Sequence, residues 1–186
     1  MTRVLVLLLL LAGCGDPQAE ARAAAQRQAE SELASDPGAA LRTVRAAIAE
    51  HGADARLELV AGLACKSLGQ TTEQLQHAEA GLAFDEPFTA LRADLSWVRG
   101  SALMSRYMQL SAGDDWRAAN TALEQATTDG AHRAEAATAL VFLQDMGTLG
   151  SQERQLKFAR LVLQLDPGGE YASKVQALLD KKGLKP

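Results

Sequence analysis

Few side chains in this chain could do chemistry. They are the histidines His51, His77 and His132, the cysteines Cys14 and Cys65, and the adjacent pair Asp114-Asp115. His132 and Glu135 could face one way on a helix, with Asp129 nearby, which is the outline of a thin metal site. An ordinary surface pair near a helix start is the stronger reading. No H-E-x-x-H or G-x-S-x-G pattern occurs. The stretch GLACKS, Gly62 to Ser67, ends like a phosphate loop but lacks the glycine before Lys66. It also reads as helix, where backbone amides are already bonded and cannot cradle phosphate. Asp114 and Asp115 would point apart on a helix, and acids in a first turn compensate its dipole. Trp97 and Trp116 read first as packing residues. Catalysis is therefore not expected, and no metal or dissociable cofactor is implied.

The elements that would position these residues are helices. Apolar residues recur at helical spacing, as in Leu41, Val44, Ile48 and in Trp116, Ala119, Leu123, Ala126. Strand-like alternation of useful length is missing, so the fold class is all-α. Breakers fall at Asp36-Pro37-Gly38, Gly52, Gly69, Asp85-Glu86-Pro87, Gly113, Gly130, Gly150 and Asp166-Pro167-Gly168. Proline suits a first helical turn and glycine the residue past a helix end, so these mark boundaries. Asp16-Pro17 has the form of a helix start, and Thr71-x-x-Gln74 that of a capping box. The breakers are periodic. Gly69, Gly113 and Gly150 are followed at one offset by Ala78, Ala122 and Ala159, and at another by Asp85, Asp129 and Asp166.

This pattern resembles the tetratricopeptide repeat, a pair of antiparallel helices of about 34 residues. AGLACKSLGQ, with Gly62 and Gly69, is similar to the family's first helix. GDDWRAANTALEQATTDG and GSQERQLKFARLVLQLDPG are similar to its second. A degenerate copy runs from Gln18 to Gly52. The family's alanine after the turn glycine is present as Ala118, but Gln74 and Gln155 take its place elsewhere. Extra residues between Gly100 and Gly113 predict a longer first helix in the middle repeat. The resemblance implies a solenoid of three to four hairpins, closed by a capping helix from Glu170 to Leu179 with Lys174 and Gln176 facing water. It also implies a concave face that holds a protein or peptide partner. Carried over residue by residue, that face comprises Arg56, Leu59, Leu63 and Lys66, then Asp94, Trp97, Ser101 and Met104, then Leu140 and Gln144. On this register Trp97→Ala would weaken capture without unfolding the chain. The other reading is a compact helical bundle that binds a small apolar ligand or an envelope polymer.

The N-terminus says where such a domain would work. The apolar run Val4 to Ala12 covers at ~1.5 Å per residue only about half of a ~30 Å hydrocarbon core. Arg3 before it and small residues after it give the layout of a secretory signal peptide. LAGC, Leu11 to Cys14, resembles the lipobox of bacterial lipoproteins. That resemblance implies cleavage after Gly13, with diacylglycerol and an N-acyl chain on Cys14. Two or more chains anchor a protein stably. The expected division is residues 1–13 as cleaved signal, 14–18 as lipidated cysteine and linker, and 19–186 as helical domain. Gly15 in place of an aspartate favours the outer membrane, facing the periplasm, where the cell has one. With Cys14 acylated, Cys65 has no disulfide partner and is expected to be buried as a small hydrophobe. The net charge is −4, and the basic residues cluster only at Lys181, Lys182 and Lys185, so nucleic acid is not an expected partner.

Overall fold

The computed structural model describes residues 16–146 and 148–186. The expected signal segment, Cys14 and Gly15 lie outside the described residues. Within them the chain is all-helical: α1 (Pro17–Leu33), α2 (Pro37–His51), α3 (Ala55–Ser67), α4 (Thr71–Ala83), α5 (Thr89–Leu110), α6 (Gly113–Ala126), α7 (Arg133–Asp145), α8 (Gln152–Leu165) and α9 (Glu170–Lys182). None of these is long and apolar enough to cross a membrane.

The boundaries follow from local chemistry. Asp16, Asp36 and Asp54 cap α1, α2 and α3, each carboxylate accepting from free amides of the first turn. Pro17 and Pro37 occupy first-turn positions that have no amide to lose. Gly69 takes a left-handed conformation, φ 71°, after α3, and Gln70 N–H then bonds Cys65 C=O at 2.9 Å. At 22 residues α5 is the longest helix, against 13 for α3 and α7. Two local readings need correction. Gly113 does not end α5; Ser111 makes the left-handed turn, φ 55°, and Gly113 begins α6. Thr71 does not cap α4 either. It is already the first helical residue, and the side chain of Gln74 is drawn away to α5.

Each helix packs on the next in sequence. The odd-numbered helices also touch in order, α1 on α3, α3 on α5, α5 on α7 and α7 on α9. Among the described residues no two even-numbered helices pack on each other. Small residues permit the close approaches. A Cβ on Gly62 would stand 2.7 Å from Val98 Cγ1, and one on Gly100 2.7 Å from Leu123 Cγ. The main core joins Val98, Leu103, Trp116, Leu123, Leu140, Leu143, Phe158, Val162 and Val175 across α5 to α9. A second cluster, with Leu41, Val44, Leu57, Val60 and Cys65, ties α1 and α2 to α3. On α9, Val175 and Leu179 face inward while Lys174 is exposed and Gln176 half-exposed.

Candidate partner-binding face

The odd-numbered helices share one side of the chain, and the sequence-derived face divides there. On α3, Arg56, Leu59, Leu63 and Lys66 recur at helical spacing, with the cations exposed and the leucines half-buried. Leu59 joins Gln26 and Glu30 of α1, Phe88 just before α5, and Leu91 and Asp94 of α5 in a concavity of about 310 Å³. Further along, Lys66, Trp97, Ser101, Ala139, Phe142 and Tyr171 line another, of about 260 Å³. Met104 of α5 is half-buried against the core.

Several expected groove residues have other work. Leu140 is fully buried, so it cannot meet a partner. Gln144 is buried too, donating to Asn120 Oδ1 at 2.7 Å while its carbonyl oxygen accepts from Ser151 N–H at 3.1 Å. Gln144 thereby faces α6 and the α7–α8 turn. On α7 the outer positions are Glu135, Ala139 and Phe142; the sequence singles out Glu135 only as a companion of His132, and Ala139 and Phe142 not at all. Gly62 and Gly100 each precede an outward residue, whereas α7 carries Thr138 there, and the connection after α7 is longer than that after α3. Leu140 and Gln144 follow from taking Gly150 as the turn glycine of this repeat, and the longer connection shifts that register. Asp94 serves as a cap, its Oδ1 accepting from Ala131 N–H at 2.9 Å and His132 N–H at 3.2 Å. Ser101 Oγ accepts from Gln74 Nε2 at 2.7 Å and donates to Val98 C=O.

Trp97 is only 7% exposed and belongs to the main core. His132 stacks on its ring, centroids 4.0 Å apart and planes 9° from parallel. Removing such a side chain costs about 3–5 kcal/mol in packing. Trp97→Ala is therefore a test of folding, and the expectation that it spares the fold is corrected. From His132 a polar chain runs outward. Its Nδ1 lies 2.6 Å from Glu135 Oε2, and Tyr171 Oη donates to Glu135 Oε1 at 2.5 Å. The bond to His132 holds the Glu135 carboxyl below its usual range, and that to Tyr171 adds to the effect. Burial, reinforced by Glu135, pushes the Tyr171 hydroxyl up. Asp129 is not part of this group, since it accepts from Thr89 Oγ1 and Gly130 N–H instead. No three His, Cys, Asp or Glu among the described residues converge to hold a metal ion.

Cys65 is fully buried, and its setting is more than apolar. Its Sγ lies 4.0 Å from Glu73 Oε2, which also takes Arg45 at 2.6 Å. Glu58 on α3 lies 2.7 Å from His77 Nδ1 on α4. Cys65 and Glu58 together push His77 up to about 9. This cluster ties α3 to α4 beneath the face. Asp115 is likewise structural. It is buried and grips Arg106 through both carboxylate oxygens, at 2.6 and 2.8 Å, while the neighbouring Asp114 is exposed. The Arg106 hydrogen bonds hold the Asp115 carboxyl below its ordinary range.

No protein-family model matches the chain, and neither a curated protein nor a solved structure is similar to it.

Proposed function

We propose that this chain is a lipid-anchored, non-catalytic scaffold of the bacterial envelope, built as a tetratricopeptide-like solenoid that holds a protein partner at a membrane surface. The observation that carries the reading is the order of contacts among the described residues: each odd-numbered helix meets the next odd-numbered one, and no two even-numbered helices meet. Stacked hairpins have that connectivity, and stacking leaves one extended face open to a partner. The long α5 is consistent with the extra residues in the middle repeat. LAGC at Leu11 to Cys14 supports the anchor. Leu59, Leu63, Ala139 and Phe142 give the face apolar contact area, and Arg56 and Lys66 give it a charged rim, the pairing a peptide groove uses.

The test is crosslinking and mass spectrometry on tagged wild-type and Cys14→Ser chains in intact envelopes. The reading expects one protein partner recovered with the wild type and reduced with the variant, and the variant shifted to the soluble fraction. If both forms stay soluble and recover no protein, anchor and scaffold fail together.

A further inference from the structure

The charges on this face are unequal in their freedom. Arg56 and Lys66 are its cations, and among the described residues neither makes an ion pair. Each lies instead over an aromatic ring. The Arg56 guanidinium sits 5.5 Å from the Phe88 centroid, and Lys66 Nζ sits 4.8 Å from the Trp97 centroid. A cation over a ring is held in place while its donors remain available. The carboxylates beside them are already engaged. Glu30 accepts from Gln26, Asp94 from two backbone amides, and Glu135 from Tyr171 with His132 against its other oxygen. Lys66 does pull on Glu135 at longer range, but both oxygens of that carboxylate have nearer partners.

Phe88, 56% exposed, and Phe142 provide apolar surface beside the two cations. Arg56 and Lys66 stand ten residues apart on α3, which is about 15 Å at ~1.5 Å per residue. An extended chain covers that distance in about four to five residues at ~3.3 Å each.

We infer that this face takes an acidic peptide segment in extended conformation, with two carboxylates about four to five residues apart, one on Arg56 and one on Lys66, and apolar side chains between them over Leu59 and Leu63. The inference rests on the scaffold reading above and names its partner's chemistry. The chain's net charge of −4 repels such a peptide at long range, so recognition must come from these two contacts.

The experiment uses the full chain in nonionic detergent and fluorescein-labelled peptides of about twelve residues. One peptide carries two glutamates at that spacing with leucines between. Its counterparts carry glutamine or lysine at the same two places. Fluorescence anisotropy is expected to show the glutamate peptide bound at least about tenfold more tightly than the glutamine peptide, with affinity falling as salt rises. Arg56→Glu/Lys66→Glu, both at exposed positions, is expected to remove that preference and to bind the lysine peptide better than the wild type does. Unchanged circular dichroism would confirm its fold. Equal binding of glutamate and glutamine peptides would overturn the acidic specificity and leave the face as a peptide groove. Binding of none of the three would overturn this inference, while the crosslinking experiment separately decides whether any protein is held.

Discussion

Ser111 is the one residue other than glycine, among those described, that takes a positive φ, and it does so at the end of α5. An L side chain in that region costs about 1 kcal/mol that glycine does not. Ser111→Gly is therefore expected to raise the unfolding free energy by about 1 kcal/mol, read from urea unfolding as a higher midpoint with an unchanged slope; a loss would mean that the hydroxyl contributes more than the backbone strain costs. His77 gives a prediction in pH. Its folded value of about 9 exceeds the ordinary 6.5, so the proton is bound more tightly in the folded chain. That stabilisation is fully present below pH ~6.5 and disappears as pH rises through about 9. His77→Gln should cost on the order of 2 kcal/mol at pH 6, the scale of a hydrogen bond to a charged group, and much less at pH 10. An equal cost at both values would show that only packing was lost.

At the scale of the element, the helices were legible because their signals are local: Asp-Pro starts, glycine ends and apolar spacing act within a few residues. Pairwise relations between helices were harder to see. Gly62 and Gly100 look alike in sequence, yet one admits Val98 of α5 and the other Leu123 of α6. Gln74 and Gln155 stood out as departures from the repeat pattern. In the structure both are buried and donate to carbonyls of adjacent helices, Val98 of α5 at 2.8 Å and Val141 of α7 at 3.4 Å. Polar side chains there replace close packing with a hydrogen bond, which no periodicity reveals. The Trp97–His132 stack joins α5 to the residue before α7, and the Glu58–His77 pair joins α3 to α4, so spacing along one helix could not announce them. Gly100→Ala tests one of these relations. Its Cβ would meet Leu123 side-chain atoms and also the Leu123 backbone nitrogen at 3.1 Å, which cannot rotate away. Overpacking of this kind costs about 1–3 kcal/mol. Thermal unfolding should show the loss, and a neutral result would mean that α5 and α6 can separate slightly without penalty.

Across the whole molecule, the contacts are short in sequence. Among the described residues α1 touches nothing beyond α3, and α9 touches nothing before α7. Opening one end therefore removes no contact at the other. Burial is also uneven. In α1 only Ala29 is fully enclosed, whereas α5 and α6 bury Leu95, Trp97, Val98, Leu103, Trp116 and Leu123. A chain stabilised by nearest neighbours opens from its ends, with protection set by local burial. Native-state amide hydrogen exchange should then show least protection in α1, a maximum through α5 and α6, and a decline again in α9. Leu123→Ala, at a fully buried position between α5 and α6, should cost about 2–5 kcal/mol. That loss would lower protection most in the middle helices and least in α1, whose packing partners are α2 and α3. Equal protection in all the described helices, or an equal loss in all of them on Leu123→Ala, would mean that the chain opens as a single cooperative unit, and the nearest-neighbour account would fail.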